Sequence, residues 1–227
     1  MSVVAFSTPF LAAVLLLLIG GHAALAAEGF TASLQAGDAA FNAKDYATAA
    51  REFSAAADQA SGTGEKSLAL AKQAYIKGVQ EDWAGAKALA REALAIEEIK
   101  PVGKVTALEV LGRVQMRHEK DFTGAVKTLE EARQLEGVEW AIPIITLVLG
   151  DCYRQTGEPE KALTAYGDVS SLNQSNPFMK ATASLCAGLT QQYDLRDVDK
   201  AKVAYAKAVQ LNPGLKKEVD AHLSKLQ

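Results

Sequence analysis

The chain has 227 residues, of which 24 are basic, 27 are acidic and 3 are histidine, so its formal net charge is −3 at neutral pH. Nucleic acids and anionic membrane surfaces both require a concentrated basic face, so this balance argues against either as a partner. Without its first 27 residues, which contain no Lys, Arg, Asp or Glu, the chain is long enough for one extended domain.

Residues 1–27 are typical of a signal peptide. Their apolar core, Phe10–Ile19, is followed by Ala24 and Ala26, which meet the small-residue rule for signal peptidase. About ten apolar residues are too few to span a membrane. We therefore expect export, either to the periplasm of a Gram-negative-type cell or out of the cell, with cleavage after Ala26 or Ala27. Because no Lys or Arg precedes the core, an uncleaved N-terminal anchor that faces the periplasm stays an alternative.

A pattern of residues then recurs five times. An acidic residue is followed directly by a bulky residue or proline. Counted from that bulky residue or proline, alanine stands three positions later, a large residue (once alanine) seven positions later and a small residue ten positions later. The copies begin at Asp45, Asp82, Asp121, Glu158 and Asp197. These offsets lie on one face of a helix, where a small residue admits a neighbouring backbone and a large one fills the gap. Each copy therefore predicts a packed helix.

A glycine stands 8 to 10 residues upstream of four copies, at Gly37, Gly112, Gly150 and Gly188, and Ala74 takes its place in the second copy. Glycine inside a helix costs about 1 kcal/mol relative to alanine. We therefore expect a second helix to cross closely at each of these positions. Each unit is predicted to be a helix, a short acidic turn and a second helix, and the acidic residue is expected to cap the second helix.

This pattern resembles the tetratricopeptide repeat family. The best matches run from Gly37 to Ala56 and from Leu149 to Tyr166, and Leu211-Asn212-Pro213 resembles the ending of that family's repeat. The resemblance covers about 185 residues, in keeping with an array of such repeats. It implies an all-α fold, a right-handed α-solenoid of about five helix pairs over residues 28–213, and a role in binding rather than in catalysis.

The repeats are longer than the family's usual length. Successive bulky positions are separated by 37, 39, 37 and 39 residues, against about 34 for a tetratricopeptide repeat. We expect the additional residues in loops and turns at 62–64, 137–139 and 170–176.

The C-terminal segment, residues 214–227, predicts an amphipathic helix. Its apolar residues Leu215, Val219, Leu223 and Leu226 recur at helical spacing. Open repeat arrays need a polar cap at their ends, and a capping helix is the simplest interpretation. A separate helix that binds a partner is the alternative.

Residues that could carry chemistry are sparse. None of His22, His118 and His222 has a second ligand at metal-binding spacing, and no phosphate loop or nucleophile elbow occurs. We therefore expect no catalytic residue, no metal site, no cofactor and no small-molecule substrate. Cys152 and Cys186 are both predicted on first helices, where they could be free packed thiols or, in an oxidising compartment, a disulfide.

The family resemblance implies where a partner would bind, because the first helices of such repeats line a concave groove. The candidate partner-binding residues are Leu34, Phe41, Tyr75, Arg113, Ile144, Leu147, Val148, Asp151, Arg154, Leu185 and Leu189. The run 141–150 has no charged residue on any face, so it is either covered on all sides or forms an apolar groove. Trp140, just before this run, is expected to pack against the protein.

These observations predict a non-enzymatic scaffold of the cell envelope that binds a peptide or a partner protein in its groove. Two alternatives stay open. One is a structural repeat module that assembles with itself, and the other is a membrane-anchored adaptor of a secretion or assembly complex.

Overall fold

The computed structural model describes residues 28–226; the predicted signal peptide and its cleavage site lie outside the described residues. Within the described range the chain forms helices and no strand, as expected. The helices are α1 (28–42), α2 (Tyr46–Gln59), α3 (Thr63–Val79), α4 (Trp83–Leu94), α5 (Pro101–Val114), α6 (Phe122–Arg133), α7 (Ile142–Gln155), α8 (Pro159–Ser171), α9 (Pro177–Leu189), α10 (Val198–Leu211) and α11 (Lys216–Leu223). Over residues 28–226, no helix has both the length and the apolar character needed to cross a membrane.

The helices fall into two compact units, one ending at Gly103 and the other beginning at Lys104. In the first unit α2 packs against α3, and α3 packs against α4. In the second unit each helix from α6 to α10 packs against the next, and α7 also contacts α9. The chain therefore alternates first helices (α1, α3, α5, α7, α9) with second helices (α2, α4, α6, α8, α10), as predicted.

The predicted stripes form the core of the second helices. The small and large positions of all five copies are buried, for example Ala49, Phe53 and Ala56 in α2 and Ala201, Tyr205 and Ala208 in α10. Burying a large apolar side chain stabilises a protein by about 1.5–3 kcal/mol. In the four copies that have a large residue, that residue is consequently a main apolar contribution of its helix.

The close helix crossings predicted at the glycines are confirmed. A Cβ atom added to any of the four would lie 2.4–2.6 Å from a side-chain carbon of the large residue on the following second helix. The pairs are Gly37 with Phe53, Gly112 with Leu129, Gly150 with Tyr166 and Gly188 with Tyr205. In the second copy alanine stands at both positions, Ala74 and Ala90, and both are fully buried. Each glycine is thus required by the large side chain that faces it.

The acidic turn residues cap the second helices in four copies. Asp45, Asp82, Asp121 and Asp197 each accept a hydrogen bond at 2.8–3.0 Å from the backbone N–H three residues later. The backbone N–H of Thr48 is the main reason why the pKa of Asp45 is lowered. The fourth copy departs from the prediction: Glu158 makes no cap bond to the backbone and instead accepts a hydrogen bond from the Thr156 hydroxyl at 3.0 Å.

A left-handed residue precedes each of these acidic residues. In the five copies in chain order, these residues are Lys44, Glu81, Lys120, Gly157 and Arg196, with φ values of 58–77°. A residue in this conformation ends a helix, and glycine adopts it at the least steric cost. Four of the five copies therefore carry a strained residue at this position.

Replacement of such a residue by glycine is expected to stabilise the protein. Lys120→Gly relieves the left-handed strain and should raise the free energy of unfolding by about 0.5–1 kcal/mol, measured by urea denaturation. Lys127→Gly is the control because Lys127 is exposed within α6, where glycine should cost about 1 kcal/mol. A destabilised Lys120→Gly variant would contradict the assignment of strain.

The prediction that the additional residues lie in loops and turns was wrong in part. In the third and fifth copies a π-helical turn extends the first helix, over Gln115–Glu119 after α5 and over Thr190–Asp194 after α9. In these two copies the backbone N–H of the acidic residue donates to the carbonyl six residues earlier: Asp121 donates to Gln115, and Asp197 donates to Gln191. In the first copy the donation reaches back only five residues, from Asp45 to Ala40. One residue of each longer repeat is therefore inserted within the first helix.

The C-terminal helix α11 packs against α10. Its Val219 is buried in a cluster with Leu185, Tyr205 and other residues of α9 and α10. The His222 ring stacks on the Tyr205 ring, with 6.0 Å between centroids, and its Nδ1 lies 3.1 Å from the Tyr193 hydroxyl. These contacts hold α11 against the fifth repeat.

Trp140 does not pack as expected, because 56% of its surface is exposed. It lies in a short 3-10 turn, Glu139–Ala141, in which Ala141 is the buried residue. The turn therefore directs the indole ring outward.

Candidate functional site

The face formed by α7 and α9 is the centre of the site predicted in the second unit. Leu147 is 9% exposed and packs with Tyr166, Ala183 and neighbouring residues. Val148 and Leu185 are 4% and 7% exposed. The uncharged run in α7 is therefore largely covered, which is the first of the two alternatives considered for it. Ile144 and Leu189 stay partly exposed at the edges of these clusters.

Polar side chains follow the apolar run on the same helix. Asp151 accepts a hydrogen bond of 2.7 Å from the Tyr166 hydroxyl. Arg154 donates through Nε to Asp194 Oδ2 at 2.8 Å, which links the end of α7 to the π turn after α9. An acidic and a basic group therefore lie one turn apart on α7, beside a third charge from the next first helix.

The charge on Arg154 is stabilised in this setting. Burial alone would lower the pKa of its guanidinium, but the hydrogen bond and the negative charge of Asp194 outweigh burial, so the pKa is raised. The guanidinium keeps unused N–H groups when Nε bonds to one carboxylate, because arginine has five donors. Arg154 can consequently donate to a carboxylate or a carbonyl of a ligand.

The cysteines are both free thiols, Cys152 buried and Cys186 partly buried. Burial, followed by the negative charge of Asp151, raises the pKa of each thiol to about 12. Since the thiolate is the nucleophile, neither group is activated for covalent chemistry at neutral pH.

In the first unit the structure brings together three of the predicted residues. The rings of Phe41 and Tyr75 meet edge to face, with 5.6 Å between their centroids, and Leu34 packs in the same cluster as Phe41. Lys72 Nζ lies 2.5 Å from Asp38 Oδ1, which gives this face of the first helices an ion pair next to the aromatic pair. Phe41 and Tyr75 contact each other within this cluster, and both side chains stay partly exposed to solvent.

Arg113, the predicted site residue of the third copy, forms an ion pair with Glu109 one turn earlier on α5. The Glu109 side chain is 8% exposed. Arg113 therefore neutralises a buried carboxylate, whatever else it binds.

Sequence reasoning missed Tyr166 and Asp194 as parts of the site. Tyr166 was assigned to packing alone, yet its hydroxyl orients Asp151. Asp194 lies 40 residues from Arg154, and only the stacking of successive repeats brings the two together. The π turn that carries Asp194 has a signal in the sequence: Gly188 and Asp197 are nine positions apart, whereas Gly37 and Asp45 are eight positions apart.

The described residues hold no group of three or more His, Cys, Asp or Glu side chains that could bind a metal ion.

Comparison with known proteins gives matches of fold. No family model matches the chain, and no curated protein matches it in sequence. Among solved structures, pilF of Pseudomonas aeruginosa is 19% identical with a TM-score of 0.65, over 88% of this chain and 90% of that chain. TTC0263, a thermophilic TPR protein of Thermus thermophilus, is 18% identical with a TM-score of 0.63, over 87% and 98% of the two chains.

YrrB, a TPR protein with an unusual peptide-binding site, is 20% identical with a TM-score of 0.57, over 87% of this chain and 98% of that chain. YrrB and TTC0263 are TPR proteins, which agrees with the helix pairs of the described residues and with the resemblance read from the sequence. The chain has the tetratricopeptide-repeat fold.

Proposed function

We propose that this protein is a non-enzymatic scaffold of the cell envelope that binds a peptide or a partner protein on the face of its first helices. The observation that supports this proposal most directly is the group formed by Asp151, Arg154 and Asp194. The partly exposed Ile144 and Leu189 lie on the same helices, α7 and α9. A peptide offers the matching groups, since its carbonyls and carboxylates accept hydrogen bonds from arginine and its N–H groups donate to aspartate.

The fold supports binding rather than catalysis. Repeat arrays provide extended surfaces for partners, and the similar structure of YrrB has a peptide-binding site. The buried Leu147, Val148 and Leu185 would act beneath the surface by holding α7 and α9 in place. Substitution of these three residues would therefore disturb folding before it reported on binding.

A crosslinking experiment tests the surface directly. A photoreactive amino acid at Gln155, which is exposed one turn beyond Asp151 on α7, should crosslink one defined envelope protein in native cells. The same amino acid at the exposed Ser171 of α8 is the control and should not. Arg154→Ala should reduce the product at least about tenfold. Equal yields at both positions, or no product at Gln155, would exclude this face as the binding site.

The envelope location is part of the proposal and rests on residues 1–27. Its test is N-terminal sequencing of the protein recovered from a periplasmic fraction. A mature chain that begins after Ala26 or Ala27 supports export with cleavage, and an envelope-bound chain that begins at Met1 supports the anchored adaptor. Recovery from the cytosol alone would refute both.

A further inference from the structure

A groove lies between the second helices α8 and α10. It has a volume of about 380 Å³ and is floored by Ala183 and Ala187 of α9. Val203 on its α10 wall is 72% exposed. The charged residues that line the groove are Lys207 and Lys200, and Lys200 forms an ion pair of 2.8 Å with Asp197. The groove is therefore apolar at its base and basic along one side.

Two features of this groove have no explanation within the chain. Gly167, in the middle of α8, lines the groove, and a Cβ atom added to it would meet nothing within 4 Å. Unlike Gly150, it is not required by a neighbouring side chain of the described structure, although glycine costs about 1 kcal/mol there. Gln191 also lines the groove, and its buried Oε1 has no hydrogen-bond partner among the described residues. Both features suit an absent occupant that comes close and donates a hydrogen bond.

The chain itself carries a segment with the complementary properties. Trp140 is 56% exposed, and the nearby Glu136 and Glu139 are exposed as well. Its indole offers a large apolar ring and one N–H donor. The volume of the groove exceeds that of an indole side chain. The carboxylates match Lys207 in charge, since Lys200 already pairs with Asp197. Trp140 does not line the groove of its own chain.

We propose that the protein associates with itself by inserting Trp140 of one copy into the α8–α10 groove of a second copy. The ring packs over Gly167 and against Val203, and its N–H donates to Gln191, whose half-buried side chain can rotate to meet it. Glu136 and Glu139 lie near Lys207, and Lys200 keeps its ion pair with Asp197. The Trp140 segment and the groove are different surfaces of the same chain. Each copy that is added therefore still has one of the two unoccupied, and the contact produces an open series or a ring instead of a closed two-fold dimer.

Sedimentation velocity of the protein expressed from the full chain tests this contact from micromolar to high-micromolar concentration. The wild type should show a mass that rises with concentration. Trp140→Ala and Val203→Glu should each weaken association at least about tenfold, and both positions are exposed, so both variants should fold. Phe178→Ala is the matched control because Phe178 is 66% exposed and does not line the groove. It should associate like the wild type.

Mixing the two defective variants gives the decisive result. Trp140→Ala keeps an intact groove and Val203→Glu keeps an intact tryptophan, so together they should form a heterodimer that grows no further. Trp140 fluorescence should shift to shorter wavelength on mixing as the ring leaves water. A wild type that stays monomeric, a Trp140→Ala variant that associates like the wild type, or a mixture without heterodimer would overturn the proposal.

Discussion

Gly150→Ala is expected to destabilise the second unit by about 2–3 kcal/mol. The added Cβ atom would lie 2.4 Å from Cε1 of Tyr166, which is buried and held by its hydrogen bond to Asp151. Neither backbone nor ring can move without opening the crossing of α7 and α8. Urea denaturation followed by circular dichroism measures the loss.

Two further variants show whether the clash is the cause. Gly167→Ala adds the same methyl group one residue after Tyr166 on α8, where nothing lies within 4 Å, and should stabilise by about 0.5–1 kcal/mol through helix propensity. In a Tyr166→Ala background, Gly150→Ala should become neutral or stabilising, as the natural pair of Ala74 and Ala90 suggests. A full loss of stability in that background would show that the ring is not what excludes the methyl group.

The repeats could be read from the sequence because their packing is local and periodic. A glycine on one helix and a large residue on the next define a crossing whose partners are only 16 or 17 residues apart, as in Gly37 with Phe53 and Gly112 with Leu129. Capping aspartates act over three residues, for example Asp45 on Thr48. Such short-range rules are set by helix geometry, so five copies in phase were enough to predict the architecture.

The site was less predictable because it depends on contacts between repeats. The pairing of Arg154 with Asp194 spans 40 residues, and it requires a π turn that displaces Asp194 by one residue. The outward direction of Trp140 depends on a single 3-10 turn. An apolar run such as 141–150 has the same composition whether it is covered or open, and only the packing of α7 against α6, α8 and α9 distinguishes the two.

Arg113 shows how a candidate binding residue can be separated from its structural role. Arg113→Met would leave the buried carboxylate of Glu109 without its ion pair, and we expect a loss of about 2–3 kcal/mol in the free energy of unfolding, because an unpaired buried charge costs far more than the pair contributes. The double variant Glu109→Leu/Arg113→Met removes both charges and should recover most of that loss. Lys216→Met, which breaks an exposed pair with Asp220, should change stability by less than about 0.5 kcal/mol.

The double variant then serves as a folded protein without the arginine. If Arg113 binds the partner, this variant should unfold like the wild type in urea and still lose the crosslinked product at Gln155 at least about tenfold. If it keeps the product, Arg113 is not part of the binding surface. The double variant has no Glu109 carboxylate, so an unpaired buried charge cannot destabilise it. If it were as unstable as Arg113→Met alone, loss of the ion pair would not be the cause of the instability.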